Sequence, residues 1–116
     1  MKRQAAEASG RFAETIAAEY LHLKGWAILD RRVRTPAGEV DIVMRRAGLV
    51  VFVEVKSRRD EAALDLALDR QRLLRVAAAA EILIPRYAQP GDDIRIDAVL
   101  VAPGRPPRHL EHVWQG

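Results

Sequence analysis

One short segment constrains the fold of this chain more than any other part of its sequence. Residues 49–53, Leu-Val-Val-Phe-Val, are all apolar, and Glu54, Val55 and Lys56 follow them directly. A strand that is apolar on both faces is typical of the middle of a sheet that is covered on both sides. We therefore expect a central strand here, with Glu54 and Lys56 sharing one face at its C-terminal end.

Helical patterns precede and follow this central strand. Apolar side chains recur at helical spacing over residues 12–23, which predicts a first helix with Ser9 as its N-cap. Residues 1–8 are predicted to be a flexible N-terminal segment. A second helical pattern covers residues 63–84, and Pro85 is expected to close it.

Strand patterns occupy much of the remaining chain. Further strands are predicted at residues 26–34, 39–46 and 94–102, with Gly- and Pro-containing segments between the elements. The resulting order, α-β-β-β-α-β with the short segment at 109–114 as an optional last strand, predicts an α/β fold with a central mixed β-sheet flanked by helices. With 116 residues, the chain is expected to form one domain around one core.

A carboxylate on the preceding strand is expected to lie near Glu54. Alternation along that strand places Val40 and Ile42 on one face and Asp41 on the other. A short turn at 47–48 would join the two strands as an antiparallel hairpin, in which residues equidistant from the turn lie opposite each other. Asp41 is therefore expected beside Glu54.

These residue types suit a metal site. Two neighbouring carboxylates repel each other and raise each other's pKa unless a cation lies between them, and oxygen ligands suit Mg²⁺ or Mn²⁺. The ammonium group of Lys56 could orient an attacking water and balance charge on a phosphate. The alternative interpretation is a structural ion pair between Glu54 and Lys56, with Asp41 solvated at the end of its strand.

Composition excludes some classes of protein and leaves others open. No apolar run approaches the roughly 20 residues of a membrane helix, and no secretory signal is recognised, so we expect a cytoplasmic protein with no membrane partner. The absence of cysteine excludes disulfides and thiolate metal sites. A formal charge of +3, with arginine as the main cation, permits a nucleic-acid partner without identifying one.

Five sequence motifs together resemble those of one known family. They are the helix pattern Gly10–Gly25 with Glu14, Gly38–Ile42, Phe52–Arg59, Arg70–Leu74 and Arg95–Val99. On these residues the chain resembles the YraN-type uncharacterised proteins, which are related to the archaeal Holliday-junction resolvases within the PD-(D/E)xK nuclease superfamily. The resemblance covers almost the whole chain.

This resemblance implies a restriction-endonuclease-like fold over residues 1–116, as a single nuclease-like domain. It also implies a metal-dependent endonuclease that hydrolyses phosphodiester bonds in DNA, with branched or otherwise structured DNA as the substrate class. Asp41 and Glu54 would hold Mg²⁺ or Mn²⁺, with the backbone carbonyl of Val55 as a third ligand. Lys56 would orient the water and stabilise the phosphate in the transition state.

Other residues are further candidates for the site. By the resemblance, Glu14 would be an added metal or water ligand, although Glu19 lies equally well at the margin of the apolar helix face. Glu39 and Ser57 are secondary candidates. The residues expected to contact nucleic acid are Arg58, Arg59, Arg70, Gln71 and Arg72.

Two other functions remain open at this point. One is a non-catalytic nucleic-acid-binding module that keeps the fold while its acids serve structure. The other is a homodimeric scaffold, since the related resolvases are dimers that act on two-fold junctions. Outside the site, Asp97 is interpreted as a structural partner of Arg95, and His109 and His112 as part of an exposed chain end.

Overall fold

The computed structural model of the protein describes residues 2–57 and 70–115. Its elements are α1 (Lys2–Leu23), β1 (Ala27–Thr35), β2 (Gly38–Arg46), β3 (Leu49–Ser57), α2 (Arg70–Tyr87), β4 (Asp93–Val101) and β5 (Arg108–Leu110). This order confirms the predicted α/β class and includes the optional short strand near the C-terminus. Within these residues, no helix is long and apolar enough to cross a membrane.

The strands form one mixed sheet in the order β1-β2-β3-β4-β5. β3 pairs antiparallel with β2 and parallel with β4, whereas β1 and β5 pair antiparallel with their neighbours. Residues 50–56 of β3 are all buried. The apolar segment is therefore the central strand, as its sequence predicted.

Each face of the sheet carries its own apolar core, beneath one helix. The α1-side core consists of Ala13, Ala17, Ala18, Leu21, Trp26, Ile42, Met44, Val51, Val53, Val55, Val99 and Val101. The α2-side core consists of Val33, Val40, Val43, Val50, Phe52, Val76, Ala79, Ala80, Leu83 and Ile96. Coverage on both sides explains why β3 is apolar on both faces.

Both helices extend beyond their predicted ends. The backbone of residues 2–8 is helical, so α1 begins before Ser9, which is therefore not its N-cap. Residues 4–8, Gln-Ala-Ala-Glu-Ala, are mostly strong helix formers, which accounts for the extension. Pro85 does not close α2 but lies in its last turn, where the carbonyl that loses its donor belongs to the exposed Glu81.

Two tight turns set the relative positions of the first three strands. In the first, Oγ1 of Thr35 accepts hydrogen bonds from the backbone N–H groups of Ala37 and Gly38, both at 3.1 Å. The second consists of Ala47 and Gly48, whose φ angles of 47° and 79° are those of a two-residue hairpin turn. The short turn predicted at 47–48 is confirmed.

Candidate active site

The turn after β2 brings the predicted site residues together. The β2–β3 pairing ends with Ile42 opposite Val53, and Asp41 and Glu54 are the residues that adjoin this last pair. The Nζ atom of Lys56 lies 3.2 Å from Oε1 of Glu54. The three residues therefore form one cluster near the C-terminal end of β3, at the place that the hairpin count predicted.

β2 changes faces at Asp41. Val40 is buried in the α2-side core and Ile42 in the α1-side core, so the prediction that these two residues share a face is wrong. The start of β2 also lies close to α2. A Cβ added at Gly38 would lie 3.4 Å from the backbone oxygen of Arg75. At this departure from alternation, Asp41 lies near Glu14 of α1 and also lines a cleft with Arg72 and Arg75 of α2.

Three carboxylates converge beside this point. Glu14, Glu39 and Asp41 each offer an oxygen, and these oxygens all lie within 4.8 Å of one another. We call these residues the acidic triad. Glu14 reaches it from α1 and is buried, at 8% exposure, whereas the competing candidate Glu19 is exposed. Glu39, a secondary candidate from sequence, is thus a full member of the group.

The triad carries unfavourable electrostatics. Burial, together with repulsion by Glu54, raises the pKa of Asp41 to about 8. Burial also raises the pKa of Glu14, against the opposing effect of the nearby Arg32 guanidinium. Oε2 of Glu14 is buried and has no hydrogen-bond partner within residues 2–57 and 70–115. At neutral pH Asp41 is therefore protonated, and the buried Glu14 oxygen is unsatisfied. A divalent cation would replace the proton and give this oxygen a partner.

Glu54 is engaged by cations from two elements. Besides Lys56, the Nε of Arg72 on α2 donates a 3.0 Å hydrogen bond to its Oε1. Glu54 and Lys56 are both only 4% exposed. The ion pair of the structural interpretation is therefore present. Asp41 is not simply solvated, however, because its Oδ2 accepts a 2.7 Å hydrogen bond from the N–H of Val55.

The backbone at Val55 faces the acids. The N–H and C=O of one strand residue point to the same side of the strand, so the carbonyl of Val55 points toward β2, as its N–H does toward Asp41. This is the orientation that its predicted role as a ligand requires. Ser57, in contrast, lines a separate groove of about 340 Å³ that includes Phe12 and Arg105.

A cleft of about 270 Å³ opens over the site. Two arginines from α2, Arg72 and Arg75, border the acids and place positive charge along one wall. The lining consists of Gly38, Glu39, Asp41, Glu54, Arg72, Arg75 and Val76. The cleft therefore combines acids at its base with cations at its rim, which suits a phosphate-bearing ligand.

The other predicted nucleic-acid contacts are placed differently. The guanidinium of Arg70 lies over the ring of Trp114, 4.8 Å from its centre. Gln71 is exposed on the same helix, outside the residues that line the cleft. Arg58 and Arg59 lie outside the described residues. Of the predicted contacts within those residues, Arg72 is the one that borders the acids.

Arg32 is a site residue that sequence reasoning missed. Its Nε lies 3.4 Å from Oε2 of Glu14 and 3.9 Å from Oε1 of Glu39. A signal for it was present in the sequence. Counting back along β1 and β2 from the turn at residues 35–38 places Arg32 opposite Asp41. The observed β1–β2 register agrees with this count.

A second buried polar cluster surrounds Asp97. Its carboxylate accepts a 2.8 Å hydrogen bond from Nε of Arg95, and Nε2 of His109 lies 2.7 Å away. The structural pairing of Asp97 with Arg95 is confirmed. The prediction that His109 is exposed is wrong, because its side chain is only 3% exposed. This cluster fastens the C-terminal segment to β4.

Comparison with known proteins covers the residues of this site. The sequence model of the uncharacterised protein family UPF0102 matches residues 13–101. A UPF0102 protein of Sphingopyxis alaskensis is 62% identical over 115 residues, covering 99% of each chain. UPF0102 proteins of Erythrobacter litoralis and Rhizorhabdus wittichii are 57% and 53% identical over 115 residues, covering 99% of this chain and 99% and 98% of theirs.

Proposed function

The chain belongs to the uncharacterised protein family UPF0102, and we propose that it is a metal-dependent endonuclease that hydrolyses phosphodiester bonds in branched or otherwise structured DNA. The convergence of Glu14, Glu39 and Asp41, with oxygens within 4.8 Å of one another, carries the proposal. Crowded, buried acids destabilise a fold, and such an arrangement is expected where a site serves a ligand. The choice of branched DNA rests on the sequence resemblance to the resolvases.

The donor set fits a divalent cation. Asp41 and Glu54 would hold Mg²⁺ or Mn²⁺ with the carbonyl of Val55, and Glu14 and Glu39 would complete the oxygen ligands. Two features support this fit: a buried Glu14 oxygen that lacks a hydrogen-bond partner among the described residues, and burial that, with repulsion by Glu54, raises the pKa of Asp41 to about 8. A bound cation would supply positive charge at the attacked phosphate and increase the acidity of the attacking water.

The positions of the cationic side chains agree with this proposal. Lys56 is buried and held 3.2 Å from Glu54, so its ammonium is oriented before a substrate arrives. It would orient the attacking water and stabilise the negative charge that develops on the phosphate. Arg72 and Arg75 at the rim of the cleft would contact phosphates, and each contact would make DNA binding more sensitive to salt.

The test is cleavage of a labelled panel that comprises a four-way junction, a flap, a single strand and a linear duplex. Each substrate is incubated at low salt with Mg²⁺, Mn²⁺ or EDTA. We expect metal-dependent cutting of the branched members, reduced at least about 100-fold in Asp41→Asn and Lys56→Ala. Asp93→Asn, which removes an exposed carboxylate on β4, is the matched control and should cut like the wild type.

A second function is favoured by one specific observation. The contacts of Glu54 with Lys56 and Arg72 form a cation-paired arrangement that a non-catalytic nucleic-acid-binding module would also keep. If folded protein binds the DNA panel without cutting any member in either metal, this binding module replaces the nuclease proposal. Cutting that survives both Asp41→Asn and Lys56→Ala would instead contradict the assignment of the site.

The proposed substrate also bears on assembly. A four-way junction has two-fold symmetry, and a homodimer would present two cleavage sites to it. We therefore propose a homodimer as the active form. Light scattering of the free protein and of its complex with a junction tests this, and a monomer in both samples would contradict it.

A further inference from the structure

Arg32 has an unusual conformation in β1. Its φ of 54° lies in the left-handed region, which is sterically unfavourable for a residue with a Cβ. Arg31 and Arg32 are consecutive, yet both reach α1. Nη2 of Arg31 donates a 3.0 Å hydrogen bond to Thr15, and Nε of Arg32 lies 3.4 Å from Oε2 of Glu14. Since consecutive residues of a regular strand point to opposite faces, the left-handed conformation turns Arg32 toward the acids.

The side chain of Arg32 lies beside two members of the acidic triad, and its backbone lies opposite the third. Its Nε is 3.4 Å from Glu14 and 3.9 Å from Glu39, and the β1–β2 register places it opposite Asp41. We propose that Arg32 is an internal counter-ion of the triad, which competes with a divalent cation for Glu14 and Glu39 and thereby sets the affinity for metal. This inference rests on the proposed metal-dependent function and names a residue that regulates the same site.

The contacts of Arg32 are those of a counter-ion that can leave. Although its Nε lies 3.4 Å from Oε2 of Glu14, that oxygen accepts no hydrogen bond from any residue in the described ranges, so the contact is electrostatic without hydrogen-bond geometry. The side chain of Arg32 is 40% exposed and that of Glu14 is 11% exposed. The guanidinium can therefore turn into solvent while the carboxylate stays in place.

Competition follows from charge and distance. A divalent cation such as Mg²⁺ carries twice the charge of a guanidinium and coordinates carboxylate oxygens at about 2.0–2.1 Å, so it displaces the arginine when both compete for the same oxygens. The free energy of separating Arg32 from Glu14 and Glu39 is then subtracted from that of metal binding. Removal of the guanidinium should therefore tighten metal binding, whereas loss of a purely structural residue would leave it unchanged or weaken it.

Direct Mn²⁺ binding tests this without reference to cleavage. The electron paramagnetic resonance signal of free Mn²⁺ is titrated with wild type, Arg32→Asn and Arg32→Lys. Asparagine tolerates left-handed φ, so Arg32→Asn removes the charge without adding strain, and Arg32→Gly is a second variant suited to the same φ. Arg34→Asn is the matched control, because Arg34 lies 3.8 Å from Glu39 but is 83% exposed.

We expect Arg32→Asn and Arg32→Gly to bind Mn²⁺ about three- to ten-fold more tightly than the wild type. Arg32→Lys should remain close to the wild type, and Arg34→Asn should differ from it by less than about two-fold. Circular dichroism verifies that each protein is folded.

Other outcomes separate this inference from the proposed function. Suppose that the wild type binds Mn²⁺ and that Asp41→Asn abolishes this binding. Unchanged or weaker Mn²⁺ binding by folded Arg32→Asn would then overturn the counter-ion role and leave the metal site intact. Equal tightening in Arg34→Asn also overturns that role, because net charge would then explain the effect. If neither the wild type nor Arg32→Asn binds Mn²⁺, the proposed metal site is wrong and the inference fails with it.

Discussion

The backbone N–H of Val55 donates a 2.7 Å hydrogen bond to Oδ2 of Asp41. This bond crosses from the central strand to β2 at the point where β2 changes faces, and it fixes the carboxyl group in position. Burial and the nearby Glu54 nevertheless raise the pKa of Asp41 to about 8. The group is therefore held in place and protonated at neutral pH, which gives the metal-free protein an unusual dependence on pH.

We expect the metal-free protein to lose stability as pH rises from about 4 to about 8. Below its ordinary pKa of 3.8, Asp41 is protonated in both states, but between 3.8 and about 8 only the folded state holds the proton. Each pH unit in this window lowers the free energy of unfolding by up to about 1.4 kcal/mol. Asp41→Asn lacks this ionisation, and its free energy of unfolding should exceed that of the wild type by up to about 5 kcal/mol at pH 8.

Urea unfolding in EDTA across the same pH range measures both proteins. The two stabilities should converge toward pH 4 and separate toward pH 8. Parallel curves for wild type and variant would contradict the raised pKa of Asp41.

Glu54→Gln should have the opposite effect on stability from Asp41→Asn, although the two acids are neighbours. Glu54 accepts from two cations, Lys56 at 3.2 Å and Arg72 at 3.0 Å, and Lys56 is buried. Removing the charge of Glu54 takes an acidic partner from a buried ammonium, and we expect a loss of about 2–3 kcal/mol. Urea unfolding at pH 7 measures it. A variant as stable as the wild type would mean that these ion pairs contribute nothing to folding.

Much of the candidate site follows from the hairpin alone. A central strand apolar on both faces and a two-residue turn at 47–48 together predict that Asp41 lies beside Glu54, and in the structure the adjoining residues Ile42 and Val53 are paired. The burial of Glu14 did not follow from its own helix, because Glu19 fitted the wheel equally well. Only the packing of α1 against the sheet distinguishes the two residues.

The features of the site that the sequence did not predict depend on local backbone geometry and on contacts between elements far apart in the chain. Alternation cannot reveal a change of face, so Val40 was placed on the wrong side of β2. The left-handed conformation of Arg32 has no sequence signature of its own, since arginine is not a residue that favours positive φ. The contact of Arg72 with Glu54 joins α2 to β3 and arises from tertiary packing. These features produce the electrostatics of the site without appearing in its motifs.

Mn²⁺ binding should release a proton and become tighter as pH rises toward about 8. At pH 7 the cation must displace the proton on Asp41, whose pKa is about 8 because of burial and Glu54. We expect release of about one proton at pH 7 and an affinity that rises by up to about ten-fold per pH unit below the pKa. Calorimetry in buffers of different ionisation enthalpy counts the protons. Binding at full affinity with no proton release would contradict the role of Asp41 as a ligand.

Asp97→Asn should destabilise the fold while leaving the chemistry of the cleft unchanged. Burial alone would raise the pKa of Asp97, but hydrogen bonds from His109, Arg95 and the backbone N–H of His112 hold it below its ordinary value. The stability that this carboxylate contributes is therefore present above its ordinary pKa of 3.8 and is lost as pH falls through the lower folded value. Because the carboxylate is fully buried among these partners, the free energy of unfolding of Asp97→Asn should be about 3 kcal/mol lower than that of the wild type at pH 7.

Urea unfolding measures this loss, with Asp93→Asn on the same strand as the exposed control. Mn²⁺ affinity, measured below the unfolding transition, should match the wild type, because the cluster of Asp97 shares no residue with the acidic triad. A change in Mn²⁺ affinity comparable to that of Asp41→Asn would instead join the two clusters into one functional site. A loss no larger than that of the control would mean that the C-terminal segment is held to β4 by other contacts, of which the 2.9 Å hydrogen bond from Val113 to Ile96 is one.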